Sequence, residues 1–238
     1  MKILVVGNTQ GKLHKINEYI KKSGADFVLC TGDFGILYKN ENKLPKFIKD
    51  NQFYKYLYGE EKFIVPVYAV RGPHDNLSFI RQIYDHSLQI NNFTLIKDGE
   101  TIELKKNEES IIVGGLGGSY SYKYYNHTKL FGYEKRHFNI TMVNQLKKAN
   151  INILLLYDII DNHKKNSVHF SSEMFSLLRT VRPYYTIVGK YNWWGAVKIF
   201  PTSNFITIPS IDNGYLIIDT KDWRAEAVRL DLNIGGKN

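Results

Sequence analysis

Cysteine and long apolar runs are almost missing from this sequence. Cys30 is its only cysteine, which excludes a disulfide scaffold and a zinc site built from cysteines. No apolar run approaches the ~20 residues that a transmembrane helix needs, so no membrane-spanning segment and no membrane partner are predicted. The opening stretch, MKILVVGNTQG, is too short in its apolar part for a signal peptide and is predicted to form a core strand. We therefore expect an intracellular protein, cytoplasmic by default and nuclear if the source is a eukaryote.

The composition is that of a folded domain with an excess of positive charge. Hydrophobic residues make up 43% of the 238 residues and aromatic residues 14%, which argues against disorder. Lys and Arg number 32 against 23 Asp and Glu, a net charge of +9. Such an excess favours an anionic partner, above all a nucleic acid. The alternative is that Lys, Asn, Ile and Tyr are frequent throughout because of an AT-rich genome.

Apolar strands and helical segments alternate along the first half of the chain. Strands are predicted at Lys2–Val6, Phe27–Cys30 and 65–70, and helices at 12–23 and 44–58. Strand, helix and strand in this order predict parallel strands joined by right-handed crossovers.

Strands dominate after about residue 93. The predicted strands are 101–104, 110–114, 152–156, Tyr185–Val188, 197–200, 205–208, Gly214–Asp219 and 225–229, with helices at 141–149 and 172–180. No repeat or linker interrupts the pattern, so residues 1–238 are predicted to form a single α/β domain. We expect two stacked mixed sheets flanked by helices, with the loops at the carboxyl ends of the strands forming one site.

Glycines and polar residues follow four of the predicted strands. These stretches are Gly7-Asn8-Thr9-Gln10-Gly11, Gly32-Asp33, Gly72-Pro73-His74-Asp75 and Gly189-Lys190-Tyr191-Asn192. Their order and spacing resemble the calcineurin-like metallophosphoesterases, whose pattern is Asp-x-His, Gly-Asp, Gly-Asn-His, a single His and Gly-His-x-His. The resemblance implies a four-layer metallophosphoesterase-like fold. It also implies a site for two metal ions that clamp a phosphate and activate water.

Three further stretches narrow the resemblance. They are FVLCTGDFGILYKNENKL, FYKYLYGEEKFIVPVYAVRGPHD and IIVGGLGGSYSYKYY. They resemble the RNA lariat debranching enzymes and, still more, the catalytically degenerate CWF19-like splicing-associated proteins. This similarity runs over almost the whole chain. It implies RNA, or a protein of an RNA-processing assembly, as the partner.

Most positions that bind metal in the family hold other residues here. The replaced positions of the former metal cleft are Asn8, Gln10, Pro73, Tyr157, Lys190 and Asn192. Asp33 matches the bridging aspartate, and His74 matches the non-ligating histidine that assists the leaving group. Every ligating histidine is therefore replaced, and we expect His74 to be vestigial and no metal cofactor to be bound. We also expect Lys190 to pair with Asp33 in place of a metal.

A single ion is the alternative for the cleft. Asp33, Asn8 and Asp158 offer oxygen atoms of the kind that hold Mg²⁺ or Mn²⁺ weakly when waters complete the shell. The ammonium group of Lys190 would repel such an ion.

Aromatic and basic residues interleave in SYSYKYYNHTKLFGYEKRHF, residues 119–138. Rings that stack on bases beside cations that bind phosphates hold single strands without reading their sequence. The nucleic-acid-binding candidates are Tyr120, Tyr122, Lys123, Tyr124, Lys135 and Arg136. The alternative is a surface loop folded on its own aromatic side chains.

These observations predict a catalytically degenerate metallophosphoesterase-fold protein that acts as a binding or scaffolding module associated with RNA. One alternative is a weakly active, one-metal phosphodiesterase or nuclease that uses Asp33 and His74. A second alternative is a scaffold that binds only proteins. The sequence makes no prediction of oligomeric state.

Overall fold

The computed structural model describes residues 1–37, 51–162, 169–191 and 193–230. In chain order the elements are β1 (Lys2–Val6), α1 (His14–Ser23), β2 (Phe27–Cys30), α2 (Phe53–Leu57), β3 (Val67–Ala69), α3 (Leu77–Tyr84), β4 (Phe93–Leu95), β5 (Thr101–Lys106), β6 (Glu109–Leu116), α4 (Tyr122–Tyr125), a 3-10 helix (Gly132–Arg136), α5 (Ile140–Leu146), β7 (Ile153–Leu156), β8 (Ile160–Asn162), β9 (His169–Phe170), α6 (Ser172–Val181), β10 (Tyr185–Val188), β11 (Gly195–Phe200), β12 (Ser203–Thr207), a second 3-10 helix (Ile211–Asn213), β13 (Gly214–Asp219) and β14 (Arg224–Arg229).

Two six-stranded sheets form the body of the molecule. The first has the strand order β14-β13-β1-β2-β3-β4 and the second has the order β11-β12-β10-β7-β6-β5. Strands β1 to β4 run parallel, while β13 pairs antiparallel with both β1 and β14. In the second sheet β6, β7, β10 and β12 run parallel, and the edge strands β5 and β11 are antiparallel to their neighbours. The predicted α/β fold with two mixed sheets is confirmed.

Alternate residues of each central strand enter different parts of the core. Ile3 and Val5 of β1 belong to the cluster between the two sheets, whereas Leu4 and Val6 pack in the cluster that includes helix α1. A third cluster joins β7 and β10 to helices α5 and α6. The layers are therefore helix, sheet, sheet and helix. Strands buried on both faces are apolar throughout, which is why the sequence shows continuous apolar runs there.

Most predicted elements are confirmed, with small shifts at their ends. Helix α1 begins at His14 rather than at residue 12. Of the predicted helix at 44–58, residues 44–50 lie outside the described residues, and α2 spans only Phe53–Leu57. Ser171 caps α6, because its hydroxyl oxygen accepts a hydrogen bond from the backbone amide of Met174. In the part of the chain described here, no helix has the length and apolar character needed to cross a membrane.

Candidate functional site

The predicted site residues that follow β1, β2, β3, β7 and β10 meet in one cleft. Asp33 contacts both His74 and Tyr157, and the amide of Lys190 donates to the carbonyl of Tyr157 at 3.1 Å. The loops approach so closely that two glycines are required. A Cβ atom on Gly72 would lie 2.0 Å from Oδ1 of Asp33, and one on Gly189 would lie 1.6 Å from Oγ1 of Thr31, which follows β2 in the other sheet.

Asp33 lies at the centre of the cleft and is almost fully buried. Its Oδ2 contacts Nδ1 of His74 at 2.9 Å and accepts a hydrogen bond from the Tyr157 hydroxyl at 3.0 Å. Its Oδ1 accepts a hydrogen bond from the His74 amide at 3.2 Å. Its backbone has a φ of +42°, a left-handed conformation that Asp tolerates better than most residues. Both oxygens of this carboxylate are therefore engaged by donors of the protein.

The charge of Asp33 changes the ionisation of its two partners. The hydrogen bond to Asp33 raises the pKa of His74, against the effect of partial burial. Burial, followed by the charge of Asp33, raises the pKa of Tyr157 well above its ordinary value. Tyr157 therefore keeps its proton and acts as a hydrogen-bond donor in the cleft.

Asp158 forms a second centre of charge, one residue beyond Tyr157. Its Oδ2 pairs with Nζ of Lys190 at 2.6 Å, and its Oδ1 accepts a hydrogen bond from the Tyr191 hydroxyl at 3.0 Å. The predicted pair of Lys190 with Asp33 is therefore wrong. Tyr157 and His74 already satisfy Asp33, whereas Asp158 is a buried carboxylate beside Lys190 that needs a cation.

Asp75 has a structural role that the sequence did not reveal. Its two oxygens accept hydrogen bonds from the amides of Phe34, Gly35, Ile36 and Gly72, at 2.8–3.2 Å. It therefore holds the loop after Asp33 against the loop after β3. Burial and the charge of Asp33 raise the pKa of Asp75 to about 6, although four amides donate to it. A carboxylate after Gly-x-His was the available signal, but it did not indicate these partners.

The remaining predicted cleft residues differ in what they offer. Asn8 is buried, and its Oδ1 has no hydrogen-bond partner among the described residues. The backbone amide of Gln10 donates to the backbone carbonyl of Asp33 at 2.9 Å. The carbonyl of Pro73 accepts a hydrogen bond from the Arg136 side chain. Asn192 lies outside the described residues.

This donor set does not fit the two-metal site that the resemblance implies. In the described ranges, no three His, Cys, Asp or Glu side chains come together in a way that could hold an ion. Asp33 already accepts hydrogen bonds at both oxygens, and Asp158 is paired with an ammonium group. Only Oδ1 of Asn8 is an uncommitted buried oxygen of the former cleft within the described residues.

The predicted aromatic and basic segment, 119–138, is a loop with two short helices whose ends are joined. The backbone amide of Ser119 donates to the carbonyl of Arg136 at 3.0 Å. The backbone amide of Phe138 donates to the carbonyl of Ser119 at 3.3 Å. Three rings stand out in solvent: Tyr122 is 80% exposed, Phe131 67% and Tyr133 69%. Exposed lysines lie between and just after them in the chain. We call Tyr122, Lys123, Lys129, Phe131, Tyr133 and Lys135 the aromatic–basic surface.

Two tyrosines of the predicted binding set are turned towards the protein. The Tyr120 ring packs on Phe138 and on a neighbouring tyrosine, with ring centres 6.0 and 5.7 Å apart. Tyr124 is half-buried, with its ring 5.0 Å from that of His137 and under the ammonium group of Lys123. Part of the segment therefore folds on its own aromatic side chains, and part presents rings to solvent.

Arg71 fastens this segment to the cleft, and sequence reasoning missed it. Its guanidinium group donates to Asp98 at 2.6 Å and to the carbonyl of His137 at 3.1 Å. Its own backbone carbonyl accepts a hydrogen bond from the backbone amide of Gly118 at 2.9 Å. Both ends of the loop are thus tied to the residue that precedes Gly72. A single arginine after a strand carries no pattern that would have predicted this.

Comparisons with known proteins agree with this architecture. The model of the family described as calcineurin-like phosphoesterase matches residues 1–219. No curated protein has a sequence that matches this chain.

Several solved structures share the fold. The crystal structure of TT1561 of Thermus thermophilus has a TM-score of 0.65 and 17% identity, covering 96% of this chain and 98% of its own. GAP50, the anchor in the inner membrane complex of Plasmodium, has a TM-score of 0.56 and 12% identity, covering 97% of this chain and 89% of its own. A hypothetical protein from Thermus thermophilus has a TM-score of 0.52 and 11% identity, covering 96% of this chain and 97% of its own. At these identities the likeness concerns the fold alone.

Proposed function

Since this chain belongs to the calcineurin-like phosphoesterase family, we propose that it is a non-catalytic member that acts as a binding or scaffolding module. One observation carries the proposal: the two remaining cleft carboxylates are bound by side chains of the protein. The Tyr157 hydroxyl donates to Asp33, and the Lys190 ammonium group pairs with Asp158. Hydrolysis by two metal ions needs such carboxylates as ligands.

The two replacing groups oppose a metal ion for different reasons. A phenol that stays protonated donates a hydrogen bond to a carboxylate oxygen and is a poor ligand. An ammonium group repels a cation by about 4 kcal/mol per unit charge at ~4 Å and an effective dielectric constant of ~20. Lys190 therefore supplies the positive charge that Asp158 requires without leaving room for a divalent ion.

Metal analysis and a hydrolysis assay on one sample test this proposal. Protein purified after growth with Mn²⁺ is expected to hold well under one equivalent of Mn, Fe, Zn or Ni. Hydrolysis of bis(p-nitrophenyl) phosphate is expected to equal that of buffer. Asp33→Asn is the control variant: metal-dependent hydrolysis that this change abolishes would contradict the proposal.

A one-metal phosphodiesterase is the second candidate, and the partnerless Oδ1 of Asn8 favours it. In that case Asn8 and Asp33 would hold one Mg²⁺ or Mn²⁺, and His74 would protonate the leaving group. Titration with either ion distinguishes the two candidates. Hydrolysis that saturates with metal and falls in both Asn8→Ala and His74→Asn supports the enzyme.

Single-stranded RNA is the partner that the surface chemistry favours. The aromatic–basic surface combines three exposed rings with three exposed lysines, and the whole chain carries a net charge of +9. Rings stack on any base and lysines neutralise phosphates, so binding is expected to tolerate any sequence. An anisotropy titration with a labelled oligonucleotide tests it. Failure to bind at low salt would leave a scaffold that binds only proteins, such as one of an RNA-processing assembly.

A further inference from the structure

Strand β11 is an edge strand of the second sheet with a single charged residue, Lys198. Within the described residues it pairs only with β12, antiparallel, from Gly195 opposite Thr207 to Phe200 opposite Ser203. Alternate residues of an antiparallel strand direct their N–H and C=O groups away from the neighbour. The outer side of β11 therefore presents a row of backbone donors and acceptors.

The edges at β5 and β14 are built differently. Strand β5 has the sequence TIELKK and β14 has RAEAVR, with charged residues at exposed positions of both. Charges on an edge strand discourage pairing with another chain. Strand β11 reads GAVKIF, and two of its three exposed residues, Ala196 and Val197, are apolar, while the third is Lys198. This edge therefore carries fewer charges than β5 and β14, whereas the fourth edge strand, β4, reads FTL and carries none.

An apolar groove of about 410 Å³ runs beside β11. Its lining includes Phe170, Trp193, Val197, Phe205 and Thr207. Trp193 is 43% exposed and Val197 46%. The Trp193 ring stands over Gly195, where a Cβ atom would lie 2.0 Å from a ring carbon. A strand placed against the edge would thus bring side chains into an aromatic groove.

The polar groups near the groove indicate what such a strand would carry. None of the groove's lining residues is acidic. Lys198 is exposed and forms no ion pair in the described part of the chain. Two residues further along β11, the Arg182 guanidinium group lies 5.6 Å from the Phe200 ring centre. The hydroxyl of Thr207 is buried without a hydrogen-bond partner among the described residues.

We propose that β11 and its groove bind an extended peptide of a partner protein, in which apolar and acidic side chains alternate. The peptide adds to the second sheet as a further strand, through backbone hydrogen bonds to β11. Its apolar side chains enter the groove, and its carboxylates, which alternate onto the opposite face of the sheet, meet Lys198. A second copy of this chain fits less well, because pairing two β11 strands brings lysines together and no carboxylate. The site uses none of the residues of the aromatic–basic surface.

A fluorescein-labelled peptide, VEVEFEVEV, tests the proposal by anisotropy with the full chain. Saturable binding is expected. Lys198→Glu is expected to weaken it about tenfold, which corresponds to ~1.4 kcal/mol. Lys221→Glu, the same change in the turn between β13 and β14, is expected to leave it unchanged. The lysine peptide VKVKFKVKV is expected not to bind.

Backbone methylation separates strand addition from simple apolar adhesion. Only one alternate set of peptide amides faces β11, so N-methylation of that set is expected to abolish binding while the other set tolerates it. No binding, equal binding of both methylated peptides, or no effect of Lys198→Glu would overturn the proposal. A dimer in light scattering that Val197→Glu dissolves would also overturn it, by assigning the edge to a second copy. Oligonucleotide binding is expected to be unchanged in Val197→Glu and in Lys198→Glu. The outcome of the peptide experiment is therefore independent of the RNA proposal.

Discussion

The hydroxyl of Tyr157 donates a hydrogen bond of 3.0 Å to Oδ2 of Asp33 inside the cleft. Both side chains are buried, and the Tyr157 pKa is raised far enough that the phenol keeps its proton. A neutral donor therefore stabilises the carboxylate that the sequence resemblance matches to the family's bridging ligand. This contact links the substitution at residue 157 directly to the loss of a metal site that we propose.

Removing this hydroxyl is expected to destabilise the fold. Tyr157→Phe leaves the buried carboxylate of Asp33 with one donor fewer, and a hydrogen bond to a charged group contributes about 1.5–3 kcal/mol. Urea unfolding measures the difference. Tyr122→Phe, the same change at an exposed position, is expected to stay within about 0.5 kcal/mol of the wild type. Equal stability of Tyr157→Phe and the wild type would show that Asp33 does not depend on this donor.

The pair of Lys190 and Asp158 is expected to show energetic coupling. Asp158 is buried, but the Lys190 side chain is 29% exposed. Lys190→Met should therefore cost about 1.5–3 kcal/mol, less than the ~3–5 kcal/mol of a fully buried pair. A double-mutant cycle with Asp158→Asn measures the coupling. If the destabilisation of the double variant equals the sum of the two single destabilisations, the two charges do not interact.

The contribution of His74 to stability is expected to depend on pH. Its pKa is raised by Asp33 above the ordinary value of 6.5, so the folded state binds the proton more tightly than the unfolded state. The stabilisation is fully present below about pH 6.5 and is lost as pH rises through the folded pKa. The stability difference between wild type and His74→Asn is therefore expected to be larger at about pH 5.5 than at about pH 9.

Urea unfolding at both pH values measures this difference. His86→Asn, at an exposed histidine beyond the far end of α3, provides the matched control. A His74→Asn difference that stays constant, or that grows with pH, would contradict the predicted ion pair.

Substitutions of rings and of lysines in the aromatic–basic surface are expected to weaken RNA binding in different ways. Tyr122→Ala should cost about 1–3 kcal/mol of RNA affinity at every salt concentration, since stacking does not release counterions. Lys135→Ala should flatten the plot of log affinity against log salt by about 0.7. Tyr184→Ala and Lys221→Ala are the controls, with exposed side chains in other parts of the molecule.

Anisotropy titrations at several salt concentrations provide the measurement. Tyr122 is a better choice than Tyr124, whose ring is already covered by Lys123 and His137. A tyrosine change that alters the salt slope would show that the ring does not stack. Absence of binding at low salt, despite a net charge of +9, would end the RNA proposal.

Eleven of the fourteen strands in the described residues were predictable from the sequence, whereas β4, β8 and β9 were not. Lys2–Val6, Phe27–Cys30, Tyr185–Val188 and Gly214–Asp219 have the predicted bounds. The first three are short apolar runs buried at nearly every residue and ended by glycine or polar residues, which is the clearest signal of a central strand. Because parallel strands end at the same edge of a sheet, the convergence of Asp33 and His74 followed from the strand order.

The partners of the charged groups were decided only by the tertiary structure. Asp33 and Asp158 both follow strands that end in the cleft, as does Lys190, so sequence spacing did not indicate which carboxylate the lysine would reach. The choice depends on ångström-scale packing: Tyr157 and His74 occupy Asp33, and the ammonium group reaches Asp158. The exposure of Tyr122 against the partial burial of Tyr120 has the same origin. The loop 119–138 is rich in tyrosine throughout, so its composition did not indicate which rings would point into solvent. That is decided by the contacts that Arg71, Pro73 and Phe138 make with the loop.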